Sequence, residues 1–373
     1  MRILKTTVMM CCLGLIFWQP VKAHESKQPL IQIAILLDAS NSMDGLIDQT
    51  KSQLWKVVNQ FMVVKKSGLT PRLEVALYEY GKNTLKSEED YLRQIVPLSD
   101  DLDRISKELF ALKTNGGEEY CASVIRSAKN GLLWSNDPAD LKIIFVAGNE
   151  SFAQGSDDYK KMCVQAKEEG IVINTLFCGD ENVGRRILWS DGAKRGGGEY
   201  LSINQSEKVV YVEAPQDNEI KNLGDLINKT YIPYGLHGQA GCENQKVQDD
   251  NAKQHSNKEA YVQRSITKNS RNYTNKSWDL VDAYKNNETK VEDLTEKELP
   301  DNMKKMTNNE RLAYIKTMAE KRDRLKEKMN KLVVERQKYL EQKNKEQGSS
   351  ASRSLDTAMI KVICKQAKAK GFN

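Results

Sequence analysis

The sequence predicts an α/β protein: a doubly wound, mostly parallel sheet, followed by an α-helical, coiled-coil-like C-terminal region. Three observations carry that expectation. Residues 31–37 and 141–147 are uninterrupted apolar runs, as strands buried on both faces require. Longer stretches with helical spacing alternate with such runs, which argues for a sheet covered on both sides. After residue 300 a seven-residue apolar repeat takes over.

Each element follows in order. The strand at 31–37 leads into a helix at 46–64, whose Leu46, Leu54, Val57, Val58 and Phe61 share a face. Strand-like segments at 73–80 and 95–98 precede helices at 101–112 and 122–134. The run at 141–147, a helix at 157–169 ended by Gly170, a strand at 171–177, a short strand at 199–203 and a helix at 218–230 complete the alternation. Gly196-Gly197-Gly198 reads as a loop entering the last strand, since no Lys-Ser/Thr follows as in a phosphate loop. The Pro233-Tyr234-Gly235 turn closes a first domain at 30–235, expected to fold alone.

Residues 236–300 are rich in Asn, Lys, Ser and Gln. With few apolar anchors beyond Tyr261, Val262, Trp278 and Leu280, they read as a polar, partly helical connector. Residues 301–373 form a charged helical region. Its main helix, 307–342, opens with a Thr307–Glu310 capping box. Met318, Leu325, Leu332 and Tyr339 recur every seven residues, and Ile315, Arg322, Met329 and Arg336 fill the other seam. Two arginines would lie unpaired in a parallel dimer seam, so a hairpin within the chain is expected. A short helix at 355–369 follows the turn at Gly348-Ser349-Ser350.

Composition sets the compartment and excludes some functions. Residues 1–23 read as a signal peptide, with Arg2 and Lys5, an apolar core at 7–18 and Ala23 at the cleavage site. Export to the periplasm or cell surface is therefore expected. Cleavage leaves Cys121, Cys163, Cys178, Cys242 and Cys364; their spacing fits no zinc pattern, so structural burial or one bridge is expected, with any disulfide lying among Cys121, Cys163 and Cys178. Residues 24–236 hold 25 Lys/Arg against 31 Asp/Glu, and residues 237–373 hold 29 against 20. The acidic front and basic rear can dock on each other, or the rear can meet a membrane or envelope surface. Acids interleaved through the rear argue against nucleic acid. The three histidines, His24, His237 and His255, lie near no Ser or Cys nucleophile motif, so an enzyme is not expected.

The segment that carries chemistry is Asp38-Ala39-Ser40-Asn41-Ser42, between a buried strand and an amphipathic helix. Ligand sites in open sheets sit at the carboxyl ends of strands. One carboxylate and two hydroxyls there suit a hard cation that takes oxygen ligands: Mg²⁺, with Mn²⁺ and Ca²⁺ as alternatives.

Asp-x-Ser-x-Ser after the first strand resembles the metal-ion-dependent adhesion site of von Willebrand factor A (VWA) domains. ILLDASNSMDGLIDQTKSQLW, ALYEYG, TNGGEEYC, IIFVAGNE and TYIPYG, with SWDLVDA and the charged tail, resemble exported bacterial proteins that join such a domain to a helical C-terminal region. The resemblance implies a non-enzymatic binding, adhesion or complex-assembly module. Two departures bear on the site. Where the family has Thr after Gly-Gly, this chain has Glu118 after Gly116-Gly117; where it has Asp, Gly148 stands in Ala147-Gly148-Asn149-Glu150. A rearranged metal set of Asp38, Ser40, Ser42, Glu118, Asn149 and Glu150 is one expectation. The other is a vestigial site whose serines only cap a helix, in a structural envelope protein that makes its contacts through the helical tail.

Overall fold

The computed structural model describes residues 28–204, 211–254, 258–346 and 355–373, so the expected leader at 1–23 lies outside the described residues. Six strands, β1 (Leu30–Asp38), β2 (Arg72–Tyr80), β3 (Leu92–Ser99), β4 (Leu141–Gly148), β5 (Ile171–Cys178) and β6 (Gly197–Ile203), make one sheet in the order β3-β2-β1-β4-β5-β6. All neighbours run parallel except β2 and β3. The chain enters at β1, winds outward to β3, then returns to β4 and winds the other way. The switch point thus lies between the carboxyl ends of β1 and β4, where open sheets place their ligands.

β1 and β4 are central and covered on both faces, which is why neither alternates polar with apolar. β1 turns Ile31, Ile33 and Leu37 to one face and Ala34 and Leu36 to the other. Helices α1 (Asp44–Val63) and α2 (Leu102–Ala111) cover the first face. The second is covered by α3 (Cys121–Gly131), α4 (Tyr159–Glu168), and α5 (Glu181–Arg186) with α6 (Trp189–Arg195). The sequence reading foresaw neither α5 nor α6: at six and seven residues each is too short to show a helical period. Asp180 caps α5 by accepting from the Asn182 and Val183 amides.

The remaining helices are α7 (Asp217–Asn228), α8 (Gly238–Gln254), α9 (Lys258–Thr267), α10 (Leu280–Lys285), α11 (Asp301–Lys304), α12 (Asn308–Glu346) and α13 (Leu355–Ala369). The segment read as a connector is a cover: α8 lies on α2, and α9 on α1 and α7. The first-face core runs on through Ala252, Tyr261 and Tyr273 to Met359, Val362, Ile363 and Phe372. Lys65, just after α1, and Asn373 exchange two backbone hydrogen bonds of 2.7 Å. Residues 30–235, expected to be self-contained, therefore share one core with later segments, because α1 buries its outer side as well as its inner one.

Charge guides this docking. Arg264 of α9 is fully buried; it donates to Asp103 of α2 at 2.7 Å and to Asp249 of α8 at 2.5 Å, and lies 4.6 Å from the Trp55 ring centroid. Lys268 donates to Asp249 at 2.5 Å and to Asn228 at 3.0 Å. Two acids and two bases balance inside the protein, as buried charges must.

The capping box at Thr307 and Glu310 opens α12. The seam that α12 buries is Ile315, Arg322, Met329 and Arg336. Both arginines find partners inside the chain. Arg322 donates to Asp279 and Asp282, each at 2.7 Å, and to the Thr230 hydroxyl and carbonyl at 2.8 and 2.7 Å; Arg336 donates to Asp217 at 2.7 Å. The expected intrachain packing is realised against α7 and α10, with acids of the front half and of α10 meeting bases of the rear.

Candidate metal centre

Three loops meet at the carboxyl end of β1, tied by backbone bonds. The Ala39 amide donates to Tyr80 at 2.8 Å, the Asn115 amide to Ala39 at 2.9 Å, and the Asn83 amide to Gly116 at 2.6 Å. Two glycines allow this closeness. Gly81 has φ +81°, and a Cβ there would sit 2.7 Å from Asp38 Oδ1 and 3.0 Å from Glu119 Cγ. A Cβ on Gly117 would meet the Asn83 backbone nitrogen at 2.6 Å.

Asp38 is fully buried. Its Oδ1 accepts the Ser40 amide at 2.7 Å, while Oδ2 makes no hydrogen bond of normal geometry, although the Ser40 hydroxyl and the Asn149 backbone amide lie close enough to the carboxylate to favour its charged form. Ser40 Oγ and Ser42 Oγ lie 3.1 Å apart, and Ser42 Oγ donates to Asn149 Oδ1 at 3.2 Å. Asp38, Ser40, Ser42 and Asn149 therefore converge. No described serine side chain caps the helix that follows.

Glu118 lies outside this cluster. It is exposed, and its carboxylate accepts from Gln154 at 3.0 Å. The next residue, Glu119, is buried beside Asp38. In a loop a neighbouring residue can face the opposite way, and nothing in a Glu-Glu pair says which one turns inward. The Gly-Gly before it was the available signal, since it marks where this backbone presses on the loop at 81–83. Glu150 is exposed as well; its carbonyl accepts the Trp189 indole at 2.7 Å. Gly148, where an acid was expected, has no room for one: a Cβ would lie 2.8 Å from the Tyr80 hydroxyl and 3.1 Å from Asp38 Oδ2. Tyr80, which donates to the Ala147 carbonyl at 2.9 Å, fills that space.

Burial pushes the Asp38 carboxyl up to about 7, helped by the charge of Glu150 and opposed by the Ser40 hydrogen bonds. Burial also pushes Glu119 up to about 7, with Asp38, Glu150 and Glu118 adding to the effect. The donor set is all oxygen: an orphaned buried carboxylate oxygen, two hydroxyls, an amide carbonyl and a second carboxylate close by. That chemistry fits a hard cation. Among the described residues no three His, Cys, Asp or Glu side chains gather to hold a metal, so neutral oxygens would supply most of the shell.

Cys121, Cys163 and Cys178 are all buried free thiols, so of the two expectations, burial or one bridge, burial is what the structure has. Cys178, at the end of β5, packs into the first-face core, whereas Cys121 and Cys163 belong to the second. The sheet separates Cys178 from the other two. Cys121 Sγ lies 3.5 Å from the Tyr80 hydroxyl instead.

No family model matches the sequence, and no curated protein matches it. Among solved structures, BatB from Bacteroides thetaiotaomicron is similar at 14% identity and a TM-score of 0.37, over 47% of this chain and 91% of that one. The SpRpn10 VWA domain is similar at 15% and 0.36, over 48% and 90%. Proximal thread matrix protein 1 from the mussel byssus matches at 16% and 0.33 over 41% of this chain, which spans only 37% of the mussel protein. With its strand order, antiparallel edge strand β3, helices on both faces and Asp38-x-Ser40-x-Ser42 at the switch point, the first half of the chain has a VWA-like fold.

Proposed function

We propose that the protein is an extracytoplasmic, non-enzymatic binding or complex-assembly module, whose contact surface is the rim of loops around Asp38. A divalent cation, Mg²⁺ in the first place, is held there by Asp38, Ser40, Ser42 and Asn149. The observation that carries this reading is Asp38 Oδ2, a fully buried carboxylate oxygen without a partner. Leaving such a group unsatisfied costs on the order of 1–3 kcal/mol or more, and a cation removes that cost. The apolar leader at 1–23 supports export.

Binding rather than catalysis is supported by the side chains on hand. Cys121, Cys163 and Cys178 are buried, and burial pushes the Cys163 thiol up to about 12, far from a reactive thiolate. The face that α12 buries packs on α7 and α10 within the chain.

The test is a melt of wild type and Asp38→Asn with and without Mg²⁺. A ligand that binds only the folded state at a hundredfold excess over its dissociation constant adds about 2.7 kcal/mol. Wild type should gain and Asp38→Asn should not. Equal shifts, or none, sink the proposal.

A further inference from the structure

Buried carboxylates in this chain follow a rule with two exceptions. Glu79 pairs with Lys82 and Arg93, Asp103 and Asp249 with Arg264, Asp217 with Arg336, Glu259 with Lys56, and Asp279 with Arg322. Asp140 has no base but accepts hydrogen bonds at both oxygens, from the Leu30 amide and the Ser135 hydroxyl. Among the described residues, Asp38 and Glu119 alone are buried without either arrangement. They are also neighbours: the position that a Gly81 Cβ would take is 2.7 Å from Asp38 Oδ1 and 3.0 Å from the Glu119 Cγ. Two acids buried together without a base are relieved either by holding a proton or by a positive charge from outside the chain.

Local geometry holds them in that arrangement. Gly81 leaves the gap between the two acids, and Gly117 lets the loop bearing Glu119 press against the backbone at 82–83. Asp38 Oδ2 is unpartnered and faces the space beside Gly148. The exposed Glu118 points to Gln154 and away from this gap.

We infer that Glu119 is a second anionic ligand, so that a divalent cation is clasped between β1 and the loop before α3 by two carboxylates of the chain itself. This rests on the proposed cation site and adds the ligand that sets its character. A cation held by one carboxylate stays electrophilic and recruits a partner's acid; one held by two carries no net charge into the contact. The exposed Glu118 and Glu150 close to it then favour a neutral or basic partner surface over an acidic one.

Mn²⁺ alone is the probe, titrated into the full chain by calorimetry, for wild type, Asp38→Asn, Glu118→Gln, Glu119→Gln and Glu119→Asp. Glu119→Gln should weaken Mn²⁺ roughly tenfold or more, and Glu118→Gln should stay within about twofold of wild type. Glu119→Asp keeps the charge on a shorter arm and should weaken binding at least about threefold, which covers a Gln variant that fails to fold. If Asp38→Asn abolishes binding while both Glu119 variants match wild type, the inference falls and the cation reading stands. If Asp38→Asn also binds as wild type, or wild type does not bind, both fall.

Discussion

Replacing Arg322 by Met tests how the C-terminal helix is fastened. The Arg322 side chain is 2% exposed and makes four hydrogen bonds, two of them to Asp279 and Asp282, while its guanidinium lies 4.6 Å from the Tyr231 ring centroid. Met keeps much of the packing but removes every donor. Asp279, fully buried, retains only the amides of Ile232 and Asp282 and loses its counter-charge. Breaking a buried pair from one side costs about 3–5 kcal/mol, because the remaining charge stays desolvated. Urea unfolding followed by circular dichroism should show a loss of that size, with earlier proteolytic cutting in α12. Adding Asp279→Asn to the Met variant should restore part of it, since it removes the stranded charge. A loss under about 1 kcal/mol would refute the claim that this pair fastens the helix, because it lies in the range of exposed ion pairs.

Four further outcomes are expected. A chain ending at Gly235 should aggregate or melt without cooperativity, because it strips α9 and α13 from α1; a soluble, sharply melting fragment would contradict the shared core. Gly117→Ala should cost roughly 1–3 kcal/mol, since its Cβ meets backbone rather than a movable side chain, and unchanged urea stability would count against that packing. Burial raises the Asp249 carboxyl, but Arg264 and Lys268 outweigh it and hold the group well below the usual range. The folded state then binds fewer protons than the unfolded chain, so this stability is present above about pH 4 and lost as pH falls further; Asp249→Asn should flatten the acid limb of a stability–pH curve. In a thiol-labelling time course on folded protein, exposed Cys364 should react first and Cys121, Cys163 and Cys178 only after denaturant; early labelling of the buried three would contradict their placement.

The sheet was legible because its signal is local. The apolar runs of β1 and β4 are short and rich in β-branched residues, as strands covered on both faces are, and each of the six strands lies where its run or alternation put it. Asp38, Ser40 and Ser42 were legible because one short loop carries all three. That Glu119 rather than Glu118 turns inward was not: it depends on the approach of a second loop at Gly81 and Gly117, which is a tertiary fact. The polar sequence around α8 and α9 hid their burial for a similar reason. Arg264, Lys268 and Asp249 are polar residues made internal by partners distant in sequence, and no periodicity reports a partner. Arg322 and Arg336 posed the same question in the seam, and the acids of α7 and α10 answer it.

The shared first-face core also bears on the order of folding. α1 gains its outer cover from residues about three hundred positions further along the chain, and contacts of such separation form late. A chain emerging from its amino end must hold the outer side of α1 open to water until α9 covers Trp55 and α13 completes the cover. During that interval the first half is a sticky intermediate, open to capture by a chaperone or by another unfinished copy.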